Sequence, residues 1–495
     1  MESLAYLILF IYGFCLCVIL LYSIGQLHLV ITVLRKRKKH EPLLALSTEK
    51  ELPFVTIQLP IYNEMYVVER LIESVAAFDY PKDRFEIQVL DDSTDETVGI
   101  IAKKVKELQE KGILIEHVRR PSRVGFKAGA LKYGLTFAKG EFVAIFDADF
   151  LPRPDFLRKV LPYFTSEEVG LVQTRWEHLN QGYSILTEVQ AFHLDAHFSV
   201  EQCGRYVGGY FMSFNGTGGI WRKDCIQDAG GWEADTLTED LDLSYRAQLK
   251  GWKLRYIDAV SAPAELPVVM GAIKSQQYRW MKGGAEVARK ALTRVWQKEG
   301  LDLGTRVHAT YHLLGSAIFI MVLGCSALSV PFLYLKNLLP AIFAPFLALS
   351  SIFLISFVIL GIFYYTSVSI REKTTGASIW RLTKGLLPFL SFSMGLALHN
   401  SIAVIQGFIG KRTPFIRTPK FNVQEKSDSW KINKYLSRKI KPSVYAELLL
   451  ACYFIGGIGL GIYYQDFDLL PFHIMLAFGY GAIGYFGVLH ALRRG

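Results

Sequence analysis

The sequence predicts an α/β nucleotide-binding domain inserted between apolar helices that span a membrane, and three observations carry that prediction. Between residues 54 and 146, β-rich apolar runs alternate with helical stretches, the rhythm of a largely parallel sheet covered by helices on both faces. The polar signatures fall where those runs end, which is where α/β sheets bind ligands. Both ends of the chain carry nearly uncharged apolar runs long enough to cross a bilayer. Of the 495 residues 51% are hydrophobic and 33 are Phe, an excess concentrated in those terminal runs.

Leu4 to Leu34 is almost free of charge. Its length and the lack of a small-residue cleavage site make it a retained membrane helix rather than a removable signal peptide. Arg35-Lys36-Arg37-Lys38-Lys39 follows directly, where cytoplasmic Lys and Arg belong, and His40 to Glu51 reads as a polar linker. The first strand, Phe54 to Leu59, ends at Pro60-Ile61-Tyr62-Asn63-Glu64, and a helix runs from about Val67 to Phe78. A second strand, Phe85 to Leu90, ends in Asp91-Asp92-Ser93-Thr94-Asp95. A helix near Thr97 to Lys111 then leads to a third strand, Ile113 to Val118. Gly125-Phe126-Lys127-Ala128-Gly129-Ala130 opens another helix, and Glu141 to Phe146 is a buried strand delivering Asp147-Ala148-Asp149. Two carboxylates at i and i+2 beyond a strand point into one crevice, and as hard oxygen ligands they suit Mg²⁺ or Mn²⁺ carrying a diphosphate.

Further along, Leu313 to Leu335 and Leu339 to Tyr365 read as two spans joined at Lys336-Asn337, and Ser443 to Tyr464 and Leu469 to Leu492 as another pair. Trp380 to Gly410 is apolar but interrupted by Lys384, Pro388, His399 and Asn400. Basic residues at both of its ends, from Arg371, Lys373 and Arg381 to Lys411 and Arg412, predict an interfacial or re-entrant segment rather than a crossing. Five crossings then place the large domain in the cytosol together with Arg493-Arg494, and a sixth crossing is the alternative. The expected domains are 1–40, 52–300 and 301–495.

Composition excludes several classes. The net charge of +10 sits beside the spans, in Arg35–Lys39 and from Lys411 to Lys441, so topology and anionic headgroups account for it without nucleic acid. The six cysteines show no C-x-x-C or zinc spacing, and four lie in or beside apolar runs, as small packing residues do. Gly125 to Ala130 lacks the G-K-[ST] of a P-loop, and Gly216-Thr217-Gly218-Gly219 does not complete G-x-G-x-x-G. His193 and His197 lie at i and i+4, but with no H-E-x-x-H glutamate and no third ligand they read as structural.

With these residues assembled the chain resembles the processive family 2 glycosyltransferases, most closely the plant cellulose-synthase-like A and C branches (mannan, glucomannan and xyloglucan backbone synthases) and bacterial cellulose-synthase-like proteins. The resemblance runs from about Val55 to Arg289 on Pro60-x-Tyr62-Asn63-Glu64, Gln88 to Asp95, Lys127-Ala128-Gly129-Ala130-Leu131, Phe146-Asp147-Ala148-Asp149 and Val172-Gln173-Thr174-Arg175-Trp176. It continues through Phe214-Asn215-Gly216-Thr217, Ala229-Gly230-Gly231-Trp232, Thr238-Glu239-Asp240 and Gln276-x-x-Arg279-Trp280. It implies a GT-A domain with Pro60, Tyr62 and Glu64 lining a nucleoside pocket, Asp91 and Asp92 at base and ribose, and Lys127, Gln276 and Arg279 at the diphosphate. It also implies Asp147 at donor sugar, nucleotide or metal, Asp149 as metal ligand for Mn²⁺ or Mg²⁺, and Asp240 as general base supported by Thr238 and Glu239. Trp280 and the Phe214-Asn215-Gly216-Thr217 loop would meet the acceptor.

The implied reaction is inverting transfer from UDP-glucose or GDP-mannose to a growing β-linked, 1,4-type glycan, with translocation through the membrane helices. The chemistry suits these residue types independently: cations stabilise a departing diphosphate, a carboxylate takes the acceptor proton, and an indole offers a flat apolar face to a pyranose. Two departures from the family stand out. Phe421-Asn422-Val423-Gln424-Glu425-Lys426 has Gln424 where the F-x-V-T-x-K gating loop has Thr, and Phe150 follows the D-x-D where bacterial cellulose synthase has His. No C-terminal extension of the length of a cyclic-di-nucleotide-binding domain is expected. The alternatives are a non-processive transferase making a lipid-linked sugar, which has no need of Q-x-x-R-W with paired downstream helices, and a nucleotide-sensing transporter or channel, which has no need of a base at Asp240.

Overall fold

The computed structural model describes residues 1–37, 52–372, 374–431, 433–436 and 439–492. The predicted linker His40–Glu51, and Lys38, Lys39, Lys373, Arg493 and Arg494, lie outside the described residues.

Among the described residues, seven strands form one sheet: β1 (Val55–Ile61), β2 (Phe85–Asp91), β3 (Ile115–Val118), β4 (Phe142–Ile145), β5 (Val169–His178), β6 (Gly219–Arg222) and β7 (Lys253–Ala264), in the order β3-β2-β1-β4-β6-β5-β7. The first four are mutually parallel, as the alternation predicts. The sheet is largely parallel as expected, with β6 inserted antiparallel between β4 and β5 and β7 parallel beside β5. The Phe214–Gly218 turn causes the reversal, with Gly216 at φ +81° and Gly218 at φ +64°, a region open to glycine.

Buried apolar residues from β1, β2 and the helices Val68–Ala76 and Thr97–Glu110 build one core, and Leu131, Val143, Trp221, Trp232 and Leu243 belong to a second. Strands buried on both faces should be uniformly apolar, yet β1 and β2 carry Thr56, Gln58, Glu86 and Gln88. These pair across the strands: Thr56 Oγ1 donates to Glu86 Oε1 at 2.7 Å, and Gln58 Nε2 to Gln88 Oε1 at 3.0 Å. Buried polar groups are tolerated when paired in this way.

Among the described residues, five helices are long and apolar enough to cross a membrane: Glu2–Lys36, Gly315–Leu338, Pro340–Arg371, Pro442–Tyr464 and Leu470–Leu492. They match the predicted spans within a few residues. The predicted connection at Lys336-Asn337 is instead the last turn of the helix Ile318–Leu338, and the break falls at Leu339 before Pro340. Its polar residues bind the loop between the last two helices, Lys336 Nζ lying 2.6 Å from Asp466 and 2.8 Å from Asp468. The interrupted segment begins before Trp380 and forms two helices, Thr375–Gly395 and Ala397–Phe408, bent by 53°. Pro388 stays inside the first of them. A second coupling joins the helix Met270–Gln297 to the helix Pro442–Tyr464: Lys274 Nζ sits 2.6 Å from Glu447, with side chains only 5% and 0% exposed.

Candidate active site

A crevice open to solvent lies at the ends of β1 and β4, where the strand order reverses. Pro60, Tyr62 and Glu64 enter it from the end of β1. Asp147 and Asp149 enter from beyond β4, Lys127 from the helix Phe126–Leu135, and Arg279 from the helix Met270–Gln297. Residues as far apart in sequence as Pro60 and Arg279 therefore meet at one crevice. Asn63 holds the β1 loop in a left-handed conformation (φ +54°). Its N–H donates to Ser93 Oγ and its side-chain oxygen accepts from the Thr94 N–H, each at 2.8 Å, so the loops after β1 and β2 form one unit.

Asp92 lines the crevice and is clasped by Arg120, whose Nε and Nη2 reach its two oxygens at 2.7 and 2.6 Å. Asp91, expected beside it, does not line the crevice. It is the last residue of β2, its side chain is fully buried, and it accepts from the Ser93 N–H and pairs with His117, each at 2.8 Å. Consecutive residues leaving a strand point to opposite sides, which separates the two aspartates.

Lys127 Nζ lies 2.6 Å from Asp147 Oδ1 and 3.8 Å from Glu239, and donates to Gly216 O at 2.9 Å. Burial alone would lower this ammonium's pKa, but Asp147 and Glu239 hold it above the ordinary lysine value. Asp149 accepts from Lys420 Nζ on Oδ2 at 2.6 Å, and its Oδ1 is buried without a protein partner. Two hard-oxygen carboxylates two residues apart, both lining the crevice, fit a divalent cation.

Asp240 is the second residue of the helix Glu239–Leu249 and half-buried. Its Oδ1 accepts from the Leu241 N–H at 2.8 Å, and a Cβ added to Gly216 would meet its Oδ2 at 2.9 Å. Burial and the neighbouring Glu239 push its pKa up to about 7. Burial also raises Glu239, and pushes Glu64 up to about 8 against the pull of Arg417 and Lys420.

Several predicted roles shift. Phe214 is buried between Trp221 and Trp232, so within its loop it is a core residue, not one facing an acceptor. Asn215 accepts from Gln202 at 2.9 Å and meets His197 Nε2 at 3.1 Å, and Thr217 Oγ1 accepts from the Asp147 N–H at 3.0 Å. Thr238 precedes its helix, but its hydroxyl makes no capping bond and is buried unpartnered. Gln276 is not among the crevice-lining residues. Trp280 packs against Ala191, Leu194 and Leu266. His193 and His197 do not converge on a metal: His193 stacks on Phe389, and His197 pairs with Glu201 at 2.8 Å. Among the described residues one carboxylate cluster is close enough to hold an ion, Glu233, Asp235 and Asp242, and Lys290 already bridges all three within 2.9 Å.

The sequence reading missed Arg123, Phe415, Arg417, Thr418 and Lys420, which also line the crevice. Arg123 lies 3.3 Å above the Tyr62 ring. Arg417 reaches Glu64 at 3.1 Å. Arg279 donates to Ile416 O at 2.6 Å and to Thr418 Oγ1 at 2.9 Å. The available signal was Arg417-Thr418-Pro419-Lys420 directly before F-x-V, within a basic block that membrane topology already explained. In the gating-type motif itself, Phe421 and Val423 are buried with Val268, Val269, Ala272 and Trp430, while Gln424 is exposed.

Comparison with known proteins agrees with this geometry. A family model described as Glycosyltransferase like family 2 matches residues 53–283. A rice protein, probable glucomannan 4-beta-mannosyltransferase 7, is 42% identical over 56% of this chain, and the match spans about half (48%) of that relative's length. A second rice protein, probable glucomannan 4-beta-mannosyltransferase 2, is 35% identical over 82% of this chain and 69% of its own. Among solved structures, the mannosyltransferase PcManGT from Pyrobaculum calidifontis, in complex with GDP-Man and Mn²⁺, superposes with a TM-score of 0.52 over 83% of this chain and 99% of its own, at 16% identity, a likeness of fold. With strand ends, carboxylates and relatives in agreement, the chain belongs to glycosyltransferase family 2.

Proposed function

We propose that the protein is a membrane-embedded, inverting, processive transferase that extends a β-1,4-linked polysaccharide of the mannan type from GDP-mannose. Its catalytic crevice would face the cytosol, and the product would leave between the apolar helices. The observation that carries this reading is the convergence of Asp149, Lys127, Arg279 and Asp240, drawn from four separate stretches, on one crevice and its wall. The names of the rice relatives support the mannosyl donor and the linkage.

In this reading Asp147 and Asp149 hold the divalent cation, which when bound neutralises charge on the donor diphosphate. Lys127 and Arg279 add fixed positive charge beside the leaving group, where developing charge is greatest. Asp240 takes the proton from the acceptor hydroxyl as that oxygen attacks. A carboxylate pushed up to about 7 is matched to proton removal near neutral pH. One displacement inverts the anomeric centre, so an α-linked donor yields a β-linked product. Trp280, anchored by its apolar neighbours, supports the acceptor sugar.

The test is incorporation of label from GDP-mannose and UDP-glucose in membranes with Mn²⁺ or Mg²⁺, the product sized and digested with linkage-specific mannanases and glucanases. A long mannanase-sensitive polymer from GDP-mannose is expected. A glucanase-sensitive polymer from UDP-glucose would overturn the donor assignment, and label confined to extractable lipid would overturn polymer synthesis.

A further inference from the structure

Lys420 has no part in the chemistry above, yet it occupies the most consequential oxygen in the crevice. Its Nζ lies 2.6 Å from Asp149 Oδ2, with the two side chains 14% and 8% exposed. The other oxygen, Oδ1, is sealed in protein without a partner, so Oδ2 is the one that faces the crevice. A divalent cation reaching Asp149 from the crevice must take Oδ2, at about 2.1 Å for an ion of magnesium size. An ammonium held 2.6 Å from that oxygen would sit almost on the same point, and like charges so close repel strongly.

We propose that Lys420 is a resident counter-ion of Asp149, exchanged for the divalent cation when the metal binds. The inference rests on the reading of Asp149 as a metal ligand. The rest of the segment is arranged for such an exchange. Residues 411–423 form no helix or strand, and the Lys420 carbonyl is pinned by Asn433 Nδ2 at 2.9 Å. The exchange is therefore a swing of the four-carbon stem about a fixed backbone. Arg417, the neighbouring cation of the segment, is engaged by Glu64 at 3.1 Å rather than by either aspartate of the D-x-D. Lys420 thus keeps a buried carboxylate paired while the metal is away, a state that would otherwise be costly. It also sets a threshold that the metal must exceed.

The test is a Mn²⁺ titration of the purified full chain in lipid nanodiscs without donor, following the paramagnetic resonance signal of free Mn²⁺. Removing a competing ion pair of this kind should tighten Mn²⁺ binding about fivefold in Lys420→Gln. Lys420→Arg, which keeps the charge, should stay near wild type, and Asp149→Asn should lose the site. Equal affinity in wild type and Lys420→Gln, with Asp149→Asn still abolishing binding, would overturn the exchange and leave the metal assignment standing. Unchanged binding in Asp149→Asn would sink the metal assignment and the exchange with it. Equal tightening in Arg417→Gln would reduce Lys420 to diffuse charge and also overturn the proposal. A second readout needs no variant: Mn²⁺ should increase amine-reagent labelling of Lys420 relative to the exposed Lys426 in the wild-type chain. Labelling that does not respond to Mn²⁺ would refute the exchange.

Discussion

Replacing Asp240 with asparagine should cut transfer sharply and stabilise the fold, and the second effect depends on pH. The carboxyl rises from its ordinary 3.8 to about 7 because burial, and then the charge on Glu239, disfavour its ionised form. A group whose folded pKa exceeds its unfolded one contributes stability that is complete below the unfolded value and is lost as pH rises through the folded value. The window is therefore roughly pH 4 to 7. A separation of about three pH units at 1.36 kcal/mol each corresponds to about 4 kcal/mol. Screening at a half-buried site reduces this to about 2 kcal/mol. Asparagine cannot ionise, so at pH 8 the variant should melt about 2 °C higher than wild type for a chain of 495 residues, and at pH 4 the two should coincide. Melting curves of both proteins in the same detergent at the two pH values measure this. A variant less stable than wild type at pH 8, or a gain of equal size at pH 4, would show that Asp240 is not held in an ionisation-averse site. Activity should fall by about 10²–10⁴-fold, the range for loss of a positioned base.

The wild-type rate should fall as pH drops below about 7, close to tenfold per unit, because the proton-accepting form of Asp240 becomes scarce; a flat profile from pH 5 to 8 would remove Asp240 as the base. Gly216→Ala places a Cβ 2.9 Å from Asp240 Oδ2 at a φ of +81°, which costs about 1–2 kcal/mol of backbone strain and displaces the base, so turnover should drop while Mn²⁺ binding is retained. Lys274→Met leaves the buried Glu447 carboxylate unpaired and should cost about 3–5 kcal/mol, with most of it recovered when Glu447→Leu is added; melting temperatures of the single and double variants decide this. Thr238→Val removes a buried hydroxyl that has no partner and should leave the melting temperature unchanged or higher.

What was legible in the sequence follows from physical range. The crevice residues at the ends of β1 and β4 were readable because a short apolar strand commits the next polar residues to the ligand side, as with Asp147 and Asp149 after Phe142–Ile145. Asp91 and Asp92 were readable as a pair but not individually, since the last strand residue decides which of them turns inward. Phe214 misled because an aromatic beside a glycine turn suits a sugar-facing loop and a core equally well, and only Trp221 and Trp232 resolve it. β6 was missed because Gly219-Ile220-Trp221-Arg222 opens on the glycine turn and ends on a charge, leaving no apolar run like that of β4. The pairing of Lys420 was beyond reach: its partner lies 271 residues away, and no local pattern encodes a contact of that span.

The crevice wall formed by Phe415, Arg417, Thr418 and Lys420 has a consequence for biosynthesis. These residues follow Arg279 by more than a hundred positions and emerge only after the bent helix pair ending at Phe408 has been made. A ribosome therefore releases the sheet, the D-x-D and the Q-x-x-R-W helix well before the site has its last side. Truncation near residue 300 would leave Arg279, Glu64 and Asp149 as stranded charges without the groups that pair them. Under the proposed function, such a truncated chain would be inactive, and the crevice would become competent only once this last segment has been made.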